Sequence, residues 1–326
     1  MYTYDLTFPG NLNVRVEVSL PVFESTAAKL LASAYLPGLS FFRLPGPEAR
    51  TDLTVQFVVA STATAAERPD FASGLVVSKD KVTLTDFYVG EGSLLDLLHL
   101  VYSAVRPLWI KRGFYPVHSV CVGDNEKDGG YTLVVGHSGS GKTAIALKVA
   151  EGSGKKILSG NKTLVSFGKN GQMYAVAGTR TMTRAKSDGT PSTATGVVSY
   201  QERVAFELGD TSVLSHNGSD GSEFKIAMPI KLIALARLND GASQCEKLSA
   251  LSALHKLYPF FIDAVNADTV LCGGEAIYSG ALPAATMKKA AAALALGTKS
   301  VPVIVVSGSM AHVTKALEGN YGGAKA

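Results

Sequence analysis

The chain has little of what marks several classes of protein. Its 326 residues contain three cysteines, Cys121, Cys245 and Cys272, which are far apart and odd in number. They form neither a disulfide framework nor a metal-binding spacing. No apolar run approaches the length of a membrane span, and the N-terminus has no basic-then-apolar signal pattern. We therefore expect reduced, mostly buried thiols in a cytoplasmic protein without a membrane partner.

Charge is also sparse. Charged residues make up 18% of the chain, the net charge is +4, and lysines and arginines are scattered without a basic run. A nucleic-acid arm would concentrate that charge, so we predict no nucleic-acid partner. Hydrophobic residues reach 46%, which is enough for a large core, and the length allows one large or two ordinary domains.

The most informative stretch runs from Tyr131 to Ala150 and predicts a buried strand, a glycine-rich turn and a helix. The turn is a full match to the G-x-x-x-x-G-K-[ST] pattern of phosphate-binding loops. Its residues, all candidate nucleotide ligands, are Gly136, His137, Ser138, Gly139, Ser140, Gly141, Lys142 and Thr143. Glycines let backbone N–H groups approach phosphate oxygens, and the positive end of the helix dipole faces the same anion.

Each polar residue of this loop has a predicted role. Lys142 would reach the β- and γ-phosphates of ATP, and the Thr143 hydroxyl would ligate Mg²⁺. His137 would face the phosphates or solvent, and it would either contact the γ-phosphate or an acceptor, or fill its position without a role. The motif therefore predicts a nucleotide partner, with ATP and Mg²⁺ as cofactors.

The sequence pattern changes near residue 113, and this change divides the chain into predicted parts. Residues 1–112 predict an α+β module, residues 113–320 an ATP-binding domain and residues 321–326 a frayed tail. In the first part, alternation and propensity predict strands at Leu12–Leu20, Leu53–Ala60 and Gly74–Thr85, and helices at Ser25–Ala34 and Leu94–Arg112.

The second part predicts mixed α/β structure. Strands are expected at 117–122, 131–135, 157–158, 163–167, 173–176, 203–208, 230–238 and 301–306, helices at 284–296 and 310–317, and a helix or a helix pair at 248–265. Residues 178–200 are polar and weakly patterned, and we expect a long functional or mobile loop there. Its Arg180, Arg184 and Lys186 would contact substrate or phosphate, or would be solvated surface cations.

The order of these elements carries a family resemblance. A strand pair with His118 precedes the loop, and the segment KKILSGNKTLVSF follows its helix with a second hairpin. This order resembles the bacterial HPr kinase/phosphorylase and PEP-carboxykinase-like ATP-binding fold, from about Leu98 to Leu317. The resemblance implies an α/β P-loop domain in which His118 lines the site. Because HPr kinases form hexamers, it also raises a homo-oligomer as a candidate state.

One departure from the family affects catalysis. The family has two acidic residues after the position of Ser159, a catalytic base and a Mg²⁺ neighbour, whereas this chain has Gly160 and Asn161. An Asn can ligate Mg²⁺ or orient a hydroxyl, but it takes no proton at neutral pH. Either another acid supplies the base, or positioning and charge suffice, or activity is lost. The candidate acids are Asp124, Asp240 and Glu275, and Asp240 is the best placed because it follows an apolar strand.

Two functions follow from these residues. The first is an ATP-dependent kinase that transfers the γ-phosphate to a hydroxyl of a small metabolite or of a protein serine. Its catalytic candidates are Lys142, His118, Asn161 and Asp240, with Thr143 and Asn161 at the metal and Arg180 and Arg184 at the substrate. The alternative is a catalytically degenerate nucleotide-binding protein with a regulatory or accessory role, which the missing acidic pair favours.

Overall fold

The fold is mixed α/β, with several sheets and helices. A computed structural model describes residues 1–19, 21–41, 51–59, 75–77, 81–86, 91–123, 130–153, 155–192, 194–200, 202–208, 228–262, 270–272, 275–277 and 283–318. The candidate acid Asp124, the segment 62–71 and the tail 321–326 lie outside these residues.

The first part of the chain forms a six-stranded sheet in the order β3-β1-β2-β4-β6-β5. Its strands are β1 (Tyr2–Phe8), β2 (Leu12–Val18), β3 (Ser40–Phe41), β4 (Leu53–Val59), β5 (Leu75–Val77) and β6 (Lys81–Asp86). Its helices are α1 (Thr26–Tyr35) and α2 (Glu91–Lys111). The alternation of buried and half-buried residues along β2 confirms the period-two pattern of the sequence.

The predicted elements of this part differ from the structure in two places. Gly74–Thr85 was expected as one strand, but it holds the antiparallel pair β5 and β6. The N-terminal strand β1 was missed, although it pairs with β2 along its whole length. The first helix begins after Ser25, whose side chain accepts a hydrogen bond from the Ala28 N–H, as its N-cap position predicts.

The second part forms a nine-stranded sheet along the path β10-β8-β9-β16-β12-β11-β7, with β20 beside β16 and β17 beside β20. These strands are β7 (Phe114–Val117), β8 (Ser119–Gly123), β9 (Tyr131–Val135), β10 (Lys156–Ser159), β11 (Thr163–Phe167), β12 (Met173–Gly178), β16 (Met228–Leu238), β17 (Gln244–Lys247) and β20 (Val303–Gly308). The helices are α3 (Lys142–Ser153), α4 (Ala250–Phe261), α5 (Ala284–Ser300) and α6 (Met310–Glu318).

The strand predicted at 117–122 is two strands that meet at His118. Before it, β7 pairs with β11, and after it, β8 pairs with β9. The chain bends at His118 because it changes partner there. Both predicted hairpins are confirmed, since β8 is antiparallel to β9 and β11 is antiparallel to β12. The strand β16 is parallel to both β9 and β20, so it lies directly beside the strand that leads into the glycine-rich loop.

The expectation of a long loop at 178–200 was wrong. This segment contains β13 (Met182–Ala185), a 3₁₀ turn at Lys186–Asp188 and β14 (Ala194–Tyr200), which form a three-stranded sheet with β15 (Arg203–Leu208) in the order β13-β15-β14. Most of the described residues of β14 are exposed. Without a buried face the strand has no hydrophobic alternation, and its Thr and Val propensity was the only signal. A further hairpin, β18 (Val270–Cys272) with β19 (Glu275–Ile277), was also missed.

The two parts of the chain share a hydrophobic core. The cluster built on the first sheet and α2 also includes Leu164, Val176, Ala177 and Ala205 of the second part. Hydrogen bonds cross the same boundary, from the Thr181 hydroxyl to the Leu30 carbonyl at 3.1 Å and from the Gly38 N–H to the Gly178 carbonyl at 3.1 Å. Within the described ranges, none of the helices combines the length and apolar character that a membrane crossing requires.

Candidate functional site

The predicted strand, loop and helix are present. The loop leaves β9 at Val135 and enters α3 at Lys142. Gly139 and Gly141 have φ angles of 78° and 90°, which side chains rarely adopt. The Leu238 N–H at the end of β16 donates to the Ser140 carbonyl at 3.0 Å. The neighbouring parallel strand therefore holds the loop in a tight curve over the start of the helix.

The Lys142 side chain is folded over this loop. Its ammonium donates to the carbonyls of Gly136 and His137, both at 2.8 Å, and the residue is buried. The Thr143 hydroxyl donates to the Thr183 carbonyl at 3.4 Å. Ser140 is also buried, and its hydroxyl has no hydrogen-bond partner among the described residues. The loop thus brings an ammonium and two hydroxyls to one turn.

A small polar cavity of about 210 Å³ lies on the side of the loop that carries Lys142 and Thr143. It unites several residues that the sequence singled out. Its lining includes the loop residues Ser138, Gly139 and Gly141 to Thr143, the predicted residues His118, Gly160, Asn161 and Arg184, and also Ala144, Thr183, Ala185, Asp188 and Arg203. The cations Lys142, Arg184 and Arg203 face one carboxylate, Asp188, so the cavity is suited to an anion.

Gly160 and Asn161 are fixed by the surrounding backbone. The N–H of Gly160 donates to the Thr179 carbonyl at 3.0 Å, and the N–H of Asn161 donates to the Thr179 hydroxyl at 2.8 Å. The side-chain NH₂ of Asn161 donates to the Ala34 carbonyl at the end of α1, at 2.9 Å. Asn161 therefore lines the cavity while its amide is held by the first part of the chain.

A larger cavity of about 620 Å³ lies on the other side of the loop. It opens at the carboxyl ends of the parallel strands β9, β16 and β20, where α/β sheets commonly bind ligands. Its lining comprises Val135 to Ser140, Leu235 to Arg237, Asn239, Lys256, Phe260 and Val305 to Ser307. The His137 ring lies 5.0 Å from the Phe260 ring, between their centroids. Ser138 and Gly139 border both cavities, so the loop separates them.

Other sequence candidates lie apart from these cavities. Arg180 and Asp240 are exposed, and neither residue lines either cavity. Glu275 begins the short strand β19. Sequence reasoning missed Asp188, Arg203 and Phe260, whose only signal was their residue type. Asp188 lies two residues after Lys186, which was singled out for its charge alone.

The cysteines take no part in either cavity lining. Cys121 is fully buried in β8 beside the loop strand, and burial raises the pKa of its thiol to about 12. A thiol with that pKa stays protonated at neutral pH, so it is a poor nucleophile. Cys245 is half-buried and also free. The expectation of reduced thiols agrees with both.

Neither a comparison with models of known families nor one with curated proteins finds a match to this chain.

Proposed function

We propose that the protein is an ATP-dependent phosphotransferase of the HPr-kinase-like and PEP-carboxykinase-like P-loop group, with a hydroxyl as acceptor. The observation that carries the proposal is the joint position of Lys142, Thr143 and His118 around one cationic cavity at a glycine-rich strand-to-helix turn. Backbone N–H groups at such a turn bind phosphate, and Lys142 adds a cation beside them. We place the β- and γ-phosphates in this smaller cavity.

The residues of this cavity fit Mg²⁺. Among the described residues, no group of three or more His, Cys, Asp or Glu side chains forms a metal cluster. Mg²⁺ in phosphate sites does not need one, since it takes one or two protein oxygens, substrate phosphates and several waters. The Thr143 hydroxyl and the Asp188 carboxylate are oxygen donors in the same cavity. The ion would neutralise charge on the phosphates, which is its contribution in such sites.

We place the nucleoside in the larger cavity. The smaller cavity, about 210 Å³, lacks room for a whole nucleotide, whereas the larger one measures about 620 Å³ and begins where the smaller one ends, at Ser138 and Gly139. Phe260 offers an aromatic ring against which a base can stack. Ser140 also lines this cavity, although its hydroxyl oxygen is buried in the loop.

The transfer itself follows from this placement. The acceptor hydroxyl approaches the γ-phosphate on the side that His118 lines. Its oxygen forms a bond to the γ-phosphorus while the bond from that phosphorus to the bridging oxygen breaks, ADP leaves with the electron pair, and the hydroxyl proton passes to an oxygen of the transferred phosphoryl group. Lys142, Arg184 and Arg203 stabilise the charge on the transferring group and the leaving group. Because the transition state is loose, positioning and charge supply most of the catalysis.

The proposal is tested first by binding. The purified protein should bind MANT-ATP, and Lys142→Ala should weaken that binding about 10- to 100-fold, because a charge-assisted contact to phosphate is lost. The control is Lys148→Ala, six residues further along α3, where the ammonium is exposed and pairs with Glu151 at 3.6 Å. An equal effect of both changes, or no binding by the unmodified protein, would reject the assignment of the loop.

Transfer is tested by following the γ-phosphate of radiolabelled ATP with Mg²⁺ across a panel of hydroxyl metabolites and serine-containing proteins. A labelled product in the panel, absent with Lys142→Ala, is the expected result. The second candidate, a nucleotide-binding protein without catalysis, is favoured by Gly160 and Asn161, where the resembling family has acids. Tight ATP binding without labelled product from any member of the panel would select that candidate.

A further inference from the structure

Neighbouring residues pack closely against Gly160, one of the two positions where the resembling family has an acidic residue. A Cβ atom at Gly160 would lie 2.6 Å from the Met182 Cγ and 3.0 Å from the Thr181 carbonyl oxygen. The contact with Met182 would force this fully buried side chain to move, and the tight contact at 3.0 Å is with a backbone carbonyl. The turn cannot simply regain a carboxylate at residue 160. A carboxylate for the nucleotide site has to come from another element.

Asn161 does not supply it either. Its side chain is an uncharged amide, and its NH₂ group is engaged with the Ala34 carbonyl. The two residues where the resembling family has acids therefore serve packing and hydrogen bonding.

Asp188 is the carboxylate that the fold brings to the same cavity. The Thr143 hydroxyl donates to the Thr183 carbonyl, which joins the start of α3 to β13. That strand runs into the 3₁₀ turn at Lys186–Asp188, and Asp188 lines the smaller cavity with Lys142 and Thr143. It is the one acidic residue in the lining of this cavity. The strand β13 thus connects the Thr143 hydroxyl, the proposed Mg²⁺ ligand, to Asp188, which lies five residues after Thr183.

Arg184 forms a weak ion pair with this carboxylate. Its Nε atom lies 3.9 Å from the Asp188 Oδ2 atom, and the Asp188 side chain is 54% exposed. The Arg203 guanidinium donates to the Thr183 hydroxyl at 3.2 Å and lines the same cavity. Because an exposed ion pair at this distance is weak, the Asp188 carboxylate is free to turn toward a divalent ion.

We propose that Asp188 is the acidic residue of the Mg·ATP site, bound to the ion directly or through one of its waters, in place of the acids absent at positions 160 and 161. The proposal rests on the function proposed above. It assigns a metal-site role to the element that the sequence had marked as loop. Mg²⁺ in P-loop sites is held by the loop Ser or Thr together with an Asp, and Thr143 and Asp188 supply that pair.

The test measures the affinity for MANT-ATP in the presence of Mg²⁺ and in the presence of EDTA. In the unmodified protein Mg²⁺ should raise the affinity for MANT-ATP about tenfold or more. This is comparable with the loss of affinity that follows when residues supporting a metal site are removed from a protein. Asp188→Asn should reduce that gain to about twofold, while its affinity in EDTA should stay equal or rise, since a negative charge leaves the phosphate cavity. A variant that is merely misfolded would lose affinity in both buffers.

The matched control is Glu202→Gln, which removes an exposed carboxylate from the turn between β14 and β15 without touching either cavity lining. It should keep the full Mg²⁺ gain, and Asp188→Glu should restore part of it. The proposal is overturned if Asp188→Asn keeps the full gain, or if the unmodified protein binds MANT-ATP equally with Mg²⁺ and EDTA. Absence of MANT-ATP binding in both buffers would instead reject the proposed function.

Discussion

Two glycines on the rim of the same cavity have opposite surroundings. A Cβ atom at Gly139, in the glycine-rich loop, would find no heavy atom within 4 Å, although the φ angle of 78° is left-handed. A Cβ atom at Gly160 would collide with Met182 and Thr181. In the loop, glycine leaves space that a ligand can use. In the turn after β10, glycine allows two segments to pack.

The difference separates a position that is open from one that the fold has closed. A phosphate bound at the loop would need the space above Gly139. At Gly160 the neighbouring residues Thr181 and Met182 lie at the start of β13, the strand that leads to the turn at Lys186–Asp188. The turn after β10 therefore packs against the same strand that carries the chain to Asp188.

The largest effect on stability is expected at Gly160, where a side chain has no space. Gly160→Asp should lower the free energy of unfolding by about 3 kcal/mol, because the added side chain overpacks the turn against Met182 and the Thr181 carbonyl. Chemical denaturation followed by circular dichroism measures this change. The variant should not gain transfer activity, since its carboxylate has no room to reach the phosphates.

The matched control is the same substitution at the open glycine. Gly139→Asp should lower the free energy of unfolding by only about 1 kcal/mol, which is the cost of a left-handed residue other than glycine. It should nevertheless abolish MANT-ATP binding, because its carboxylate faces the phosphates. If Gly160→Asp is as stable as Gly139→Asp, or if it raises transfer above that of the unmodified protein, the contrast between closed and open positions fails.

An intermediate effect is expected at the larger cavity. Phe260→Leu should weaken ATP binding about fivefold to tenfold, because an aromatic ring loses its stacking with the base. The same variant should bind tripolyphosphate as the unmodified protein does, since tripolyphosphate has no base. Isothermal titration calorimetry with the two ligands separates these contributions.

The control for this change is its neighbour in α4. Phe261 is fully buried and is absent from the lining of both cavities, so Phe261→Leu should cost stability and leave the affinity for ATP unchanged. Equal losses for ATP and tripolyphosphate in Phe260→Leu would show that the nucleoside lies elsewhere.

The sequence predicted those parts of the site whose residues are close together along the chain. The strand, loop and helix around Lys142 were predicted because one short segment contains the whole pattern, and the hairpins on either side followed from turn residues and alternation. The crowding at Gly160 was out of reach, because it depends on Met182 in another strand. Asp188 was missed for a related reason. The strand before it, β13, has only four residues and the strand after it, β14, is mostly exposed, so neither shows alternation and the segment was predicted as a loop.

The smallest effect is expected at the acid that the sequence favoured. Asp240 follows the apolar strand β16, which is parallel to the loop strand, as a magnesium-binding Asp would. In the structure it is exposed and absent from both cavity linings, whereas its neighbour Asn239 lines the larger cavity. Asp240→Asn should therefore leave unchanged the gain in MANT-ATP affinity that Mg²⁺ brings, whereas Asp188→Asn measured in the same assay should lose most of it. If Asp240→Asn removes the gain and Asp188→Asn does not, then Asp240 is the acidic residue of the Mg·ATP site. In that case the crowding at Gly160 does not decide which residue binds Mg²⁺.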